Sequence, residues 1–161
     1  MTIQRKEVET IDDLPALVGQ PLGTSGWITI GQSMIDDFAR ISGDHNWIHV
    51  DVERARRELP EGRTIVHGML TLSLVAQLGS EVFGVRQRDR GINYGSNKVR
   101  FITPVLCGAR IRLHRTLAAV DPMDGGRAAR VTFDNTVEID GEARPAMVAE
   151  TITVIYGKRA A

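Results

Sequence analysis

The chain has 161 residues, with 20 Lys+Arg against 20 Asp+Glu, so its formal net charge is zero. That balance leaves no global basic field to hold nucleic acid or an anionic membrane. Hydrophobic residues at 42% and charged residues at 25% fit one folded domain over 1–161 and argue against disorder, and the lone Cys107 excludes an intramolecular disulfide or a multi-cysteine zinc site.

The N-terminal run lacks an apolar core, so it reads as no secretory signal. The most apolar stretch, Ile65 to Val85, is interrupted by His67, Gln77 and Glu81. It is too polar to span a membrane and suits a buried helix. A cytoplasmic protein is the expectation.

In chain order, Thr10 is placed to cap a short helix over Ile11–Val18, which Gly19 ends. Trp27–Ile30 reads as a strand. Met34, Ile35, Phe38, Ala39 and Ile41 share one face of a predicted helix over Gln32–Ile41, with Gly43 as its stop. Gly43–Val50 follows as a polar loop. Asp51 is a cap for a brief helix over Val52–Leu59, and Pro60 and Gly62 mark another loop. Gly68–Phe83 is helical in pattern and apolar almost all round, so it needs enclosure on most sides.

The rest of the chain is predicted to supply that enclosure. Ile111, Leu113 and Leu117 share a face of one strand. Val131, Phe133, Asn135, Val137 and Ile139 alternate with polar residues in the next, the period of a sheet with one wet face. Gly125-Gly126 and Asp140-Gly141 are hairpin signals, and Val148 to Tyr156 forms the last strand. The class is α+β: helices first, then a long antiparallel meander.

Ser42 to Asp51 packs two carboxylates, two imidazoles and a carboxamide into ten residues. Trp47 and Ile48, large and apolar, are expected to anchor this loop in the core. Thr64 to Gly68 opens onto the N-terminus of the greasy helix, where free N–H groups and partial positive charge are available. The two loops together supply an acid, a base and an oxyanion site. His45 and His49 are four apart, as two metal ligands on a helix would be. The stretch between them does not read as helical, and the glutamate of the H-E-x-x-H pattern is missing, so no metal is expected. Cys107 has no partner that would make it a nucleophile, and His114 reads as a surface side chain.

Phe38-Ala-Arg-Ile-Ser-Gly-Asp-His-Asn-Trp-Ile-His-Val-Asp51, followed by Thr64-Ile-Val-His-Gly-Met-Leu-Thr-Leu-Ser73, resembles the hydratase signature of the MaoC-like dehydratases, the (R)-specific enoyl-CoA hydratases of the hotdog superfamily. Ile92 to Val105 is similar to the strand that follows the central helix there. The usual proline after the asparagine is replaced by Trp47.

The resemblance implies a hotdog fold, a five-stranded sheet curled round the long helix, in a homodimer joined edge to edge. It implies catalytic Asp44 and His49, an oxyanion Gly68 and a loop-shaping Asn46. It also implies an acyl thioester of coenzyme A, or of acyl carrier protein, as substrate, with no separate cofactor. Asp44 and His49, five apart across a turn, are suited to hold one water. His67 is expected to orient the loop by a hydrogen bond. Lys98, Arg100, Arg110, Arg112, Arg86, Arg88 and Arg90 are candidates for the coenzyme A phosphates. A hotdog thioesterase is the rival enzyme, and a non-catalytic acyl-thioester-binding subunit is the rival class. The Asp-x4-His spacing favours hydration over the first. The presence of Asp44, His49 and Gly68 together disfavours the second.

Overall fold

The computed structural model describes residues 5–158; the first four residues of the N-terminal run that reads as no secretory signal fall outside them. Strand β1 (Lys6–Val8) leads into a 3-10 helix over Ile11–Leu17. Thr10 and Asp13 close a capping box at its start, and Pro15 lies inside it. Proline supplies no N–H for a continuing α ladder, which accounts for a 3-10 segment where a short helix was expected. Strand β2 (Pro21–Thr24), which the sequence pattern did not mark, precedes β3 (Ile28–Thr29).

Helix α1 (Gln32–Ser42) ends at Gly43 in the left-handed region, with φ of 77°. Its buried face is Ile35 and Ala39, with Met34 and Phe38 half-buried, whereas Ile41 is 74% exposed. Ile41 was expected on the buried face; in the last turn it projects past the core. The polar loop holds a single helical turn, α2 (Trp47–Val50), followed directly by α3 (Val52–Glu58). Asp51 caps α3, accepting the Arg54 N–H at 2.9 Å.

Helix α4 (Gly68–Val82) runs straight into β4 (Phe83–Val85), which pairs in parallel with β1. The meander follows: β5 (Arg88–Phe101), β6 (Arg110–Met123), β7 (Ala128–Ile139) and β8 (Met147–Gly157). The main sheet is antiparallel in the order β2-β6-β7-β8-β5, with β3 also on β6, so it holds six strands where five were expected. The extra strand arises because the segment before α1 is split into β2 and β3.

The predicted alternation of β7 holds: Val131, Phe133, Asn135, Val137 and Ile139 are all buried. Leu70, Val75 and Leu78 of α4 pack with Ile111, Leu113, Val137 and Met147 of the sheet. Full burial of one such side chain is worth about 1.5–3 kcal/mol, and cutting Leu78 back to Ala would cost about 2–5 kcal/mol. A large antiparallel sheet laid against one long helix is the hotdog arrangement.

One expectation fails in part. Helix α4 is covered on one side only: Met69 is 56% exposed, and Ser73, Ala76, Gln77 and Ser80 are exposed too. A single sheet face reaches just the stripe of Leu70, Thr71, Val75, Leu78, Gly79 and Val82. Among the described residues, one edge of strand β5 is open as well. It pairs with β8 along one edge, and Ile92, Tyr94 and Phe101 are all about half-exposed or more. No helix among the described residues is long and apolar enough to cross a membrane.

Candidate active site

The loop between α1 and α3 and the segment entering α4 are tied together backbone to backbone. Ile65 N–H donates to the Ile48 carbonyl at 2.9 Å. Gln32, at the start of α1, clamps both: its Nε2 donates to the His49 carbonyl at 2.8 Å, and its Oε1 accepts the buried Thr64 hydroxyl at 2.6 Å. Gln32 was not singled out from the sequence, because a helix-start glutamine carries no motif. Trp47 and Ile48 are half-buried rather than core residues. What pins the loop is this hydrogen bonding, together with the burial of His49, while the Trp47 ring lies beneath the Arg54 guanidinium at 4.0 Å.

Asn46 is the N-cap of α2, its Oδ1 accepting from the Ile48 N–H at 3.4 Å. Trp47 is therefore the first residue of the turn. That is the position at which proline is favoured but not required, so its replacement leaves the turn intact.

His49 is 8% exposed, and its Nδ1 lies 2.6 Å from the Ile65 carbonyl. A carbonyl only accepts, so Nδ1 carries the proton and Nε2 of the neutral ring holds the free lone pair. That lone pair faces the Asp44 carboxylate, with Nε2 to Oδ2 at 3.9 Å. Asp44 is exposed, and its Oδ1 accepts from the Asn46 N–H at 3.3 Å. A gap of that width is too long for a direct hydrogen bond, yet a water about 2.8 Å from each group would bridge it.

His67 is 2% exposed, and its Nε2 donates to the Asp44 backbone carbonyl at 3.0 Å. This is the loop-orienting hydrogen bond expected of it. Its ring also stacks on His49, with centroids 3.8 Å apart, and tilts against Phe38 at 5.0 Å. Phe38, His67 and His49 thus form a ring stack that fixes the His49 plane. The remaining nitrogen, His67 Nδ1, is buried without a partner.

Ligand atoms of Asp44, His49 and His67 lie within 4.8 Å of one another. A metal would have to sit in both imidazole planes at about 2.0–2.1 Å. Rings stacked at only 28° to each other aim their in-plane lone pairs side by side rather than at one point. The donor set therefore does not fit a metal. His45, the other ligand candidate, is exposed and lies outside the cluster.

Gly68 opens α4, whose N-cap, His67, offers no side-chain cap. The first N–H groups of the helix are thus available, with the positive end of the helix dipole behind them. A Cβ built on Gly68 would stand 3.0 Å from the Phe101 ring, so only glycine lets that ring lie against the turn.

Most of the cations considered for phosphate are engaged. Lys98 pairs with Glu150, Arg110 with Asp140, Arg112 with Glu138, Arg86 with Glu7 and Arg90 with Asp89. Of that set, Arg88 and Arg100 have no carboxylate partner among the described residues. His114 is half-exposed and also bonds Glu138. The Arg112 guanidinium and His114 hold the Glu138 carboxyl below the usual range.

The fold is a hotdog, and the site sets a paired carboxylate and imidazole beside an uncapped helix start. The family described as "MaoC like domain" matches residues 13–142, and the chain belongs to that family. It is 44% identical over 144 residues to 3-hydroxyacyl-thioester dehydratase Z of Mycobacterium tuberculosis, covering 89% of this chain and 94% of that one. It is also 44% identical over 147 residues to nodulation protein N of Rhizobium leguminosarum bv. viciae, covering 91% of each. The solved (R)-hydratase from A. caviae involved in PHA biosynthesis superposes with a TM-score of 0.65 at 24% identity, over 84% of this chain and 94% of that one, a likeness of fold.

Proposed function

We propose that the protein adds water to 2-enoyl thioesters to give (R)-3-hydroxyacyl thioesters, and catalyses the reverse dehydration. The observation that carries this reading is the bare Nε2 of His49 facing the Asp44 carboxylate across 3.9 Å, beside the open start of α4. The name of the mycobacterial relative supports a 3-hydroxyacyl thioester as the substrate class.

The chemistry follows from the positions. A 2-enoyl thioester is electrophilic at its third carbon. A water held between Asp44 and His49 attacks there, and His49 Nε2 takes one of its protons. The Asp44 carboxylate accepts a hydrogen bond from the other O–H and keeps the oxygen aimed. Negative charge passes to the thioester oxygen, where the Gly68 N–H stabilises it. The pair then releases one proton to the second carbon on the same face. One proton taken and one returned leave Asp44 and His49 as they began. Acid–base work of this kind is worth roughly 10²–10⁴-fold.

Thioester substrates carry phosphates, and Arg88 and Arg100 are the candidate cations left to meet them. The carrier, coenzyme A or acyl carrier protein, binds as part of the substrate. The open edge of β5 and the bare face of α4 support a homodimer, and the protein acts in the cytoplasm, where its lone thiol stays reduced.

The test is incubation with 2-butenoyl-CoA, following loss of the conjugated enoyl-thioester absorbance, with chiral analysis of the product. (R)-3-hydroxybutyryl-CoA is the expected product. Release of free coenzyme A without hydration would replace this reading with a thioesterase, and binding without turnover would replace it with a carrier subunit.

A further inference from the structure

Among the described residues, a single buried side-chain nitrogen or oxygen lacks a hydrogen-bond partner in the chain, and it is Nδ1 of His67. The other ring nitrogen faces the Asp44 carbonyl at 3.0 Å. A carbonyl only accepts, so Nε2 carries the proton and the lone pair is left at Nδ1. Burying an acceptor without a donor is unfavourable, so the nitrogen is not there for stability. The loop hydrogen bond accounts for Nε2 alone, since a glutamine amide supplies the same donor without a ring.

The faces of the ring are what remain. His67 lies between Phe38, tilted at 54° with centroids 5.0 Å apart, and His49, inclined by 28° at 3.8 Å. In the hydration chemistry above, His49 accepts a proton at Nε2 while its Nδ1 keeps its own on the Ile65 carbonyl. The ring is then an imidazolium, a cation formed on a side chain that is almost wholly buried. Its counter-charge is the Asp44 carboxylate 3.9 Å away, on a side chain 55% exposed, where water weakens the pairing. The His67 ring is closer to the new charge and is shielded from water. A cation over an aromatic face is attracted to it, most strongly where water is excluded. His67 plays this part only as a neutral ring. A second proton on its Nδ1 would find no acceptor and would stack two like charges on each other. The pair therefore holds one charge, and His49 holds it, because its free nitrogen is the one that faces the carboxylate.

We propose that His67 is a positioning residue that acts on the charge of the base as well as on the loop: its neutral ring, stacked on His49, stabilises the imidazolium that exists between the two proton transfers. This rests on the hydration reading above. His67 moves no proton itself.

Two variants pull the ring and the hydrogen bond apart. His67→Gln keeps a donor for the Asp44 carbonyl and removes the ring face. His67→Phe keeps the face and removes the donor. Both are read by steady-state hydration of 2-butenoyl-CoA, with a melt on each preparation. His67→Gln should lower kcat about 5- to 30-fold with KM within twofold, the effect of a cation over a desolvated ring. His67→Phe should melt lower, for want of the loop hydrogen bond, yet keep the larger kcat per folded molecule of the two. The reverse ranking would leave His67 a loop anchor only and overturn the proposal. Nitrogen-15 spectra of histidine-labelled wild-type protein need no variant to fold. At neutral pH they should show His67 protonated at Nε2 and bare at Nδ1, and a doubly protonated His67 would overturn the proposal as well. Wild-type protein that leaves 2-butenoyl-CoA unchanged would overturn the hydration reading and this role with it, whereas the reverse ranking in an active enzyme overturns the role alone.

Discussion

Gly68→Ala separates a catalytic glycine from a merely structural one. The backbone of Gly68 is not in the positive-φ region, so alanine brings no backbone strain. Its methyl would sit 3.0–3.1 Å from three atoms of the Phe101 ring. That ring is 50% exposed on the open strand β5, so it can yield by a few tenths of an ångström. Helix propensity favours alanine over glycine by roughly 0.5–1 kcal/mol, which offsets the crowding. The net change in stability should be under about 1 kcal/mol, or less than about 4 °C in melting temperature for a chain of this size. Turnover should respond differently. The displaced ring and the new methyl stand where the thioester oxygen must meet the N–H, and losing one such donor costs about 10²–10³-fold in kcat. The assay is hydration of 2-butenoyl-CoA, with kcat, KM and melting temperature from one preparation. A variant with kcat within twofold of wild type would refute Gly68 as the donor. Full recovery of kcat in Gly68→Ala/Phe101→Ala would assign the loss to the displaced ring instead.

Asp44→Asn and His49→Gln should each lower kcat by about 10²–10⁴-fold with circular dichroism unchanged, and the double variant should be little worse than either, since the proposed mechanism has the two act on one water. Gln32→Ala removes the clamp on both loops; kcat should fall at least about tenfold with a measurable loss of thermal stability, and steady-state kinetics beside a melt will check both. Light scattering of an active sample at micromolar concentration should give the mass of a dimer, and a monomer mass would count against pairing through β5. The Glu138 carboxyl should titrate below the usual range by NMR and move up in Arg112→Ala. Because its folded pKa is depressed, what it adds to stability is present at neutral pH and is lost as pH falls through the folded value.

Much of this architecture is legible in the residues because local rules agree with the global fold. The strict alternation from Val131 to Ile139 needs no partner to be read as a strand with one buried face, and Gly43 needs no context to end α1. The site loops stand out because polar side chains crowd between apolar anchors. What escaped did so for physical reasons. Strand β2 is four residues long and starts at a proline, too short for a periodic signal. The Trp47–Val50 turn is held by tertiary contacts rather than by propensity, since one turn of helix is unstable alone. Arg115 of β6 looks like any strand arginine until its guanidinium is found against Gly79 of α4, where a Cβ would overlap it. The open side of α4 was hidden by its composition: hydropathy reports that a surface wants cover, not which chain provides it.

The strand order has a kinetic consequence. Hairpins β6–β7 and β7–β8 join neighbours in sequence, so the centre of the sheet is available early and locally. Its two flanks are not. Strand β2 pairs Pro21 with Thr116, and β5 pairs Arg88 with Gly157, so both close over long stretches of chain. Contacts of that separation slow folding because loop closure must precede any reward. During synthesis from the N-terminus, α4 emerges before any strand of the meander that will cover it. The chain therefore carries its most apolar helix uncovered until the strands of the meander have been made, and the risk of misassociation is concentrated in that interval.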